Sequence, residues 1–284
     1  MRTNAIIRII IWSLVLVLSL GALLFALEWD RGDDPTDSVS IELVTVPIDR
    51  PSEDGLLKLG YTEKLKIDWP VGTITIQPGD VQTIDVKEPP VSDPKYAMVC
   101  TQEGDTLHIR YQESSSSLSI GKSPKKDLTI TVPWEWYGTS LKVEMASANL
   151  ILRDVSIDQV VVDTASGASS FENCTIEELD LNTASGNLDF TGRLGKLEVD
   201  AASANVTANL QNVPDSLELK SASGSFDMTL PKDAGFNAEL SSVSGHIFTE
   251  FETTETGKRL LCGDGACKME ITTTSGEVTI RKWE

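Results

Sequence analysis

The chain has 284 residues, of which 40% are hydrophobic and only 6% aromatic, so one or two domains with a largely aliphatic core are expected. Its formal net charge of −19 argues against nucleic acid or anionic phospholipid as a partner, because such a surface repels phosphate. Basic partners and divalent cations stay compatible with it.

An apolar run from Ile6 to Leu27 is long enough to cross a membrane. As a helix it would span about 33 Å, which matches a hydrocarbon core of about 30 Å. Arg2 and Arg8 lie at its start and acidic residues follow it, which predicts a cytoplasmic N-terminus and an extracellular remainder. A cleaved signal peptide is the alternative, although the run is long and no A-x-A site follows it. We therefore expect a single-pass protein of the cell membrane that contacts the lipid bilayer through Ile6–Leu27.

The pattern divides the chain into three segments. Residues 1–28 are the predicted cytoplasmic tail and transmembrane helix, and residues 29–60, rich in Asp, Pro and polar residues, the extracellular stalk. Residues 61–284 are the predicted β domain. It opens with irregular early coils, of which Leu65 to Ile76 is one, and becomes regular from residue 141.

The regular part is a repeat of seven copies, each centred on a serine beside a small residue. The serine-to-serine spacings are 19, 19, 18, 20, 21 and 31, and an insertion that holds two cysteines accounts for the last. Apolar residues stand four and six positions before each serine with a mostly polar residue between them, and alternation resumes three and five positions after it. Such period-two alternation predicts strands with one buried face. The seven serines are Ser147, Ser166, Ser185, Ser203, Ser223, Ser244 and Ser275.

These repeats predict an all-β, single-stack β-solenoid (β-helix-like) behind one transmembrane α-helix. Two strands and their corners fit in about nineteen residues, and a coil of that size buries its apolar face only against its neighbours. The apolar residue four before each serine and the one three after it are seven positions apart, which is an odd number. In a straight strand they would face opposite sides, so the chain must bend at the Ser-Gly corner. We expect the serines to stack there as a structural ladder. A β-sandwich is the alternative, but its strands do not repeat one pattern at one period.

Four cysteines are present. Cys262 and Cys267 bracket a turn-like Gly-Asp-Gly-Ala spacer, which makes a disulfide between them possible in an oxidising compartment. Cys100 and Cys174 are expected to be buried and reduced, and their pairing stays open.

Repeated L-x-V-x-x-A-S-G-x-L-x-F units behind an N-terminal apolar segment resemble the bacterial putative-adhesin family of unknown function, which includes LiaG-like envelope proteins. The resemblance covers roughly residues 40 to 284 and is clearest from Leu141 onward. The sequence departs from the pattern where Ser-Ala replaces Ser-Gly at Ser147 and Ser203, and where the cysteine insertion interrupts the last repeats. The family implies adhesion, and some members are similar to proteins linked with envelope stress responses. It defines no catalytic residue to transfer.

Few groups of residues in the sequence could catalyse a reaction or bind a metal ion. His246 follows Ser244 by two residues, but it occupies a corner position held elsewhere by Asn149, Asn187 and Asn205, so we interpret it as an exposed corner residue rather than a catalytic base. Carboxylates recur one position before the inner aliphatic residue. Stacked rungs would align them in an acidic stripe that could bind a hard cation. A solvated outer face explains the stripe more simply. We expect no catalytic, cofactor-binding or metal-binding residue. The carboxylates of the stripe are Asp180, Glu198, Glu218, Glu239 and Glu270.

The sequence therefore favours a non-enzymatic binding or adhesin-like module of the cell envelope, with an envelope protein or a cell-wall ligand as partner. An accessory or sensor component of an envelope stress response is the alternative. A polysaccharide-active β-helix enzyme is a weaker one, because hydrolysis needs a groove with a positioned acid and base.

Overall fold

The computed structural model describes residues 62–91, 97–111 and 125–283, and the backbone of residues 56–58. Within these residues the protein is all-β and carries no helix. The predicted membrane segment and nearly all of the predicted stalk lie outside the described residues. In the described part, no helix has the length and apolarity needed to cross a bilayer.

Sixteen strands form one hydrogen-bonded sheet system in the described residues. The strands are β1 Leu56–Lys58, β2 Lys64–Asp68, β3 Thr73–Gly79, β4 Asp85–Lys87, β5 Val99–Glu103, β6 Thr106–Arg110, β7 Leu128–Pro133, β8 Tyr137–Met145, β9 Asn149–Arg153, β10 Ser156–Leu210, β11 Ser216–Leu230, β12 Phe236–Ser242, β13 His246–Thr249, β14 Thr254–Thr256, β15 Arg259–Cys262 and β16 Cys267–Lys282. The sheet includes β1, which falls within the segment predicted as stalk and pairs with β4.

The strands are arranged in rungs. Each rung has one strand before a corner at the repeat serine and one strand after it, and β10 runs through nearly three rungs without a break. Neighbouring rungs pair in parallel and in register, as where Leu197 meets Leu217 and Leu217 meets Met269. We call the outer surface of the strands before the serine corner the front face, and that of the strands after it the back face.

The order of rungs in the stack departs from chain order at both ends. The rung of β6 and β7 lies outside that of β2 and β3, which pairs onward with β8 and β9. At the other end β16 inserts between β11 and the rung of β12 and β13. The cysteine insertion holds β14 and β15, which extend the front sheet beyond β12. Strand β16 is thereby paired on both sides.

A single apolar core runs along the stack. The inward residues four and six before the serine are buried in nearly every rung, and Leu240, in the end rung of β12 and β13, is only partly buried. The core is mostly aliphatic, and Phe171 and Phe190 stack across two rungs with ring centroids 5.8 Å apart. Burial of alternate residues on both sides of the serine corner agrees with the alternation in the sequence.

The serine corner is too tight for most side chains because each rung touches the one below it. A Cβ on Gly186 would lie 2.6 Å from the carbonyl oxygen of Gly167, and one on Gly276 would lie 2.5 Å from that of Gly224. At Gly167 and Gly224 the backbone also has φ of +148° and +143°, and the neighbouring carbonyls are those of Ala148 and Ala204. The Ser-Ala copies are therefore each followed in the stack by a glycine that accommodates them.

A second corner column stands on the opposite side of the rung, seven residues after the repeat serine. Asp154, Asn173 and Gly192 occupy it in three successive rungs, with φ of 51°, 56° and 139°. Aspartate and asparagine tolerate positive φ better than other non-glycine residues. The Asn173 side-chain amide donates to the Asp154 carboxylate at 2.7 Å, which joins the two rungs.

The end of the stack nearest β6 and β7 is closed by a buried ion pair. Lys126 and Glu88 are each under 5% exposed in their side chains and form a short, direct contact. The Lys126 ammonium also lies 4.2 Å from the Tyr111 ring centroid and 4.8 Å from that of Trp69. Glu88 accepts from the Met98 backbone nitrogen at 2.8 Å. These contacts hold four chain segments together over the core: those directly after β4 and β6, and those directly before β5 and β7.

Candidate binding faces

The seven repeat serines lie on the outside of the first corner. Six are exposed and Ser223 is half-buried, and Ser203, Ser223 and Ser275 are aligned in register. Their backbones join the rungs, as where the Ser166 nitrogen donates to the Ala146 carbonyl at 2.9 Å. The side-chain hydroxyl of Ser244 donates to the Thr274 carbonyl at 3.3 Å. Ser203, Ser223 and Ser275 thus stand above one another in neighbouring rungs.

The ladder of side-chain hydrogen bonds runs two residues further on, through asparagines. The Asn149 amide oxygen accepts from the Ala168 backbone nitrogen at 3.0 Å. The Asn205 side-chain amide donates to the Asn187 amide oxygen at 3.3 Å. Each of these bonds links a rung to the next at the start of the strand that follows the serine corner. The sequence signal for this ladder is an asparagine two positions after the repeat serine in three of the repeats.

The back face beside this ladder carries rows of mostly polar side chains, interrupted by Ile151 and Phe248. In the column four residues after the serine, Thr75, Ile151 and Ser170 are in register, and so are Thr207, Asp227 and Thr279. Charged groups on this face are partly neutralised in pairs, since Arg153 bonds Glu172 at 2.9 Å and Arg281 contacts Asp227. The face carries a repeated lattice of hydroxyl and amide groups, with the exposed carboxylates of Asp189 and Glu277 among them.

The front face carries the predicted acidic row. Glu198, Glu218, Glu270 and Glu239 occupy successive positions across the stack, and Asp180 stands one repeat before Glu198. Burial raises the pKa of Asp180, and the neighbouring carboxylates of Glu198, Glu178 and Asp163 raise it further.

Lysines inserted into the front face offset part of this repulsion. Lys220 lies 2.6 Å from Glu218 and 3.3 Å from Glu198, and Lys268 lies 2.7 Å from Glu270. The hydrogen bond from Lys268 lowers the pKa of Glu270. The row is thus an alternation of ion pairs rather than a bare stripe. In the described part of the chain, no group of three or more His, Cys, Asp or Glu side chains is arranged to hold a metal ion.

A shallow cavity of about 240 Å³ lies at the end of the front face. Its charged lining residues are already paired with each other, Arg259 with Glu239 at 2.9 Å and Lys268 with Glu270 at 2.7 Å. The remaining lining residues are Asn237 and Met269. A charged ligand would have to break one of these pairs to enter.

His246 is exposed at the end of the back face, next to Phe248, with ring centroids 6.4 Å apart. The Ser244 hydroxyl donates to a backbone carbonyl rather than to this imidazole. The structure therefore does not bring the two side chains together as a nucleophile and base.

All four cysteines are buried and free. The disulfide considered between Cys262 and Cys267 is not formed, because both residues face Phe236 from opposite sides of β12. Two strand spacings separate them by about 9–10 Å, beyond the roughly 7 Å that a disulfide spans between Cα atoms. Burial raises the pKa of Cys100 and Cys267 to about 12 and that of Cys174 to about 11. These thiols are protonated at neutral pH and are poor nucleophiles and metal ligands.

The fold and its faces define the class of protein: an all-β repeat protein whose short rungs stack in parallel around one core, with side chains displayed in rows on two outer faces. The model of the Toastrack DUF4097 family matches residues 62–193 and again residues 139–281. The chain belongs to this family. The two matches overlap over residues 139–193, as expected when one repeat pattern fits at more than one position.

Solved structures give distant likenesses. A "putative adhesin" from Bacteroides fragilis is 14% identical, with 82% of this chain and 99% of that chain covered and a TM-score of 0.41. A "putative cell adhesion protein" from Clostridium sporogenes is 11% identical, over 80% and 98% of the two chains, with a TM-score of 0.37. A "putative lipid binding protein" from Parabacteroides distasonis is 11% identical, over 81% and 95%, with a TM-score of 0.37. No curated protein matches the chain.

Proposed function

We propose that this protein is a membrane-anchored, adhesin-like binding module of the cell envelope that acts without catalysis and holds its ligand on the back face. The observation that carries the proposal is the lattice of hydroxyl and amide groups that the rungs repeat along that face. The run Ile6–Leu27 serves as the anchor in this proposal, with the N-terminus in the cytoplasm and the β domain outside.

The chemistry of the back face favours a neutral, hydroxyl-rich ligand such as a polysaccharide strand of the wall. The amide and hydroxyl groups of Asn187, Thr207 and Ser225 can exchange hydrogen bonds with sugar hydroxyls at little desolvation cost. The rungs hold these groups in place before binding, which reduces the entropy lost on association. A net charge of −19 would repel an acidic polymer.

The absence of catalysis in this proposal is supported by the state of the reactive groups. The thiols are buried and protonated, and His246 stands apart from the Ser244 hydroxyl. On the front face, Lys220 lies within 3.3 Å of both Glu198 and Glu218, so these carboxylates are engaged in ion pairs.

Binding to purified wall material tests the proposal. The full-length protein in nanodiscs is incubated with wall polysaccharide, and the bound fraction is compared between Thr207→Trp and Val161→Trp. Both replace a β-branched residue on an outer face by a bulky neutral one, but Thr207 is on the back face and Val161 on the front face. Loss of binding only in Thr207→Trp, with no oligosaccharide released by any form, is the expected result. Equal binding by all forms, or loss in Val161→Trp alone, refutes the assignment of the back face.

A further inference from the structure

The two sheets of the stack have different lengths at the end that holds β12 and β13. On the front, the antiparallel strands β15 and β14 continue the sheet past β12. On the back, β13 is the outermost strand in the described part of the chain, and it pairs with β16 alone. Among the described residues, β15 and β14 therefore have no strand facing them from the back sheet. We call the space between the edge of β13 and the inner face of β15 the end groove.

Backbone groups of β13 point into the end groove. The Glu250 backbone nitrogen donates to β16, to the Ile280 carbonyl at 3.1 Å. In a parallel ladder alternate residues turn their backbone groups to the same side. The N–H and C=O groups of Ile247 and Thr249 therefore point away from β16. One extended segment in the end groove would pair with them, and it would face β15 as β13 faces β12.

The end groove also leaves part of the core uncovered. Leu240, Ile247 and Leu260 pack against the core but are only partly buried, and all three lie at this end. Ile247 stands in the column in which Leu150 is fully buried. Leu260 points inward from β15, because it pairs with the buried Ala238. The last repeat of a stacked fold usually has a polar cap, whereas apolar side chains are open here.

The opposite end of the stack is finished differently. There the back sheet continues through β4 and β1, and the front sheet through β5, all in antiparallel pairs. The buried contact of Lys126 with Glu88 covers the core at that end. Both sheets are thus extended at one end, and only the front sheet is extended at the other.

We infer that the end groove binds one extended segment of a partner protein, which pairs with the edge of β13 and carries alternating apolar residues and a basic residue. In such strand addition the backbone gives affinity and alternate side chains give specificity. Apolar residues of the segment would cover Ile247 and Leu260. A folded domain would collide with β15 and β14, which extend about two strand spacings, or roughly 10 Å, past β12. This partner is additional to the ligand of the back face and does not depend on it.

Carboxylates around the end groove favour a basic segment. Glu255 on β14 pairs with the inward-facing Leu260, so its side chain is on the inner face of the sheet. Glu255 and Glu252 are exposed, and Glu250 follows β13 directly, while Lys258 at the turn between β14 and β15 offsets one of these charges. A lysine or arginine of the bound segment would meet an acidic rim, whereas an acidic segment would be repelled.

The alternating run Val39–Leu43 of the same molecule is too far away to be this segment. It joins the stack through β1, at the opposite end. The roughly thirteen residues from Leu43 to Leu56 span at most about 47 Å. Since β10 provides three rungs, the end groove lies about eleven strand spacings from β1, or roughly 53 Å. The segment must therefore come from another molecule, and Glu42 makes this run a poor match for an acidic rim.

Peptide binding to the full-length protein in detergent tests the site. The probe is the synthetic peptide Lys-Thr-Val-Thr-Ile-Thr-Lys. The matched control, Lys-Thr-Thr-Val-Ile-Thr-Lys, has the same composition and charge but lacks the alternation. The alternating peptide should bind at least roughly tenfold more tightly in calorimetry. Absent or equal binding of the two peptides, or tighter binding of a peptide of residues Ser38–Val44, overturns the inference.

Hydrogen exchange and a change of charge locate the bound peptide. The amide hydrogens of Ile247 and Thr249 should exchange at least roughly tenfold more slowly in the complex, while that of Phe248, which faces β16, should change little. Glu255→Lys should weaken binding several-fold. Glu103→Lys is the same change on an exposed residue at the opposite end and should have little effect. Unchanged exchange at Ile247 and Thr249 with the peptide bound, or equal effects of the two variants, refutes the site.

Discussion

The amide oxygen of Asn205 lies 2.9 Å from the Ser225 hydroxyl oxygen and 3.1 Å from the Ser225 backbone nitrogen. The Asn205 side-chain nitrogen meanwhile donates to Asn187 of the rung before. A single side chain therefore ties together three successive rungs at the point where the chain leaves the serine corner. The apolar core fixes which residues face inward, and such bonds fix how one rung sits on the next.

Asn205→Ala should lower the free energy of unfolding by about 1–2 kcal/mol, because hydrogen bonds in proteins contribute roughly 0.5–1.5 kcal/mol each. The Ser225 amide hydrogen should also exchange faster with solvent. Asn209→Ala is the control: Asn209 is half-buried on the same face of the same rung. Denaturant unfolding and hydrogen exchange measure both effects, and equal losses in the two variants would contradict the role assigned to Asn205.

Gly224→Ala should cost about 1–3 kcal/mol, since φ of +143° is unfavourable for other residues and the new Cβ would collide with the Ala204 carbonyl. Gly104→Ala introduces a methyl group at positive φ without a collision. Gly104 has φ of +61°, but a Cβ there would meet nothing within 4 Å. A melting temperature lower in Gly224→Ala than in Gly104→Ala is therefore expected. If the two variants melt together, contact between rungs does not explain the glycine.

The sequence was enough to predict the repeated part of the fold, because alternation around each serine determines which residues are buried. It could not reveal that β16 inserts between β11 and β12, since strands with the same apolar pattern fit either position in the stack. The same ambiguity misled the expectation for Cys262 and Cys267: they are close in sequence, but β12 lies between their strands. The Asn187 and Asn205 ladder was visible as a column, but which atoms bond depends on corner geometry.

Ionisation of the front face should affect stability with opposite signs at two positions. The pKa of Asp180 is raised by burial and by neighbouring carboxylates, so the folded state binds its proton more tightly than the unfolded state does. Stability then falls as pH rises from the ordinary value of 3.8 through the raised one. Asp180→Asn should therefore raise the melting temperature at pH 7, by roughly 1–3 °C, and give no gain near pH 3.

Glu270 provides the contrast on the same row. Its pKa is lowered by the hydrogen bond from Lys268, so its contribution is present above the ordinary value of 4.5 and is lost as pH falls through the lowered one. Glu270→Gln should not raise the melting temperature at pH 7. Melting curves at both pH values in low salt compare the two variants, and a gain of equal size in both would show that pairing by Lys268 has no effect.

The buried contact between Lys126 and Glu88 should be costly to break from one side only. Lys126→Met leaves the Glu88 carboxylate buried without its cation, and loss of one partner of a buried pair typically costs about 3–5 kcal/mol. In Lys126→Met with Glu88→Gln the charge is removed, while the amide oxygen can still accept from the Met98 nitrogen. The double variant should recover most of the loss in denaturant unfolding. A double variant as unstable as the single one would show that Glu88 does not carry the cost.

The four cysteines should be unreactive until the domain opens. Burial raises the pKa of Cys100 and Cys267 to about 12, so almost no thiolate is present at pH 8, and the core blocks access of the reagent. The folded protein should react with a chromogenic disulfide reagent at far less than one thiol per chain within minutes, and all four thiols should react in denaturant. A reducing agent should leave the melting temperature unchanged, since all four thiols are free in the fold. A drop in melting temperature on reduction would instead show that a disulfide forms, which contradicts a fold with four free thiols.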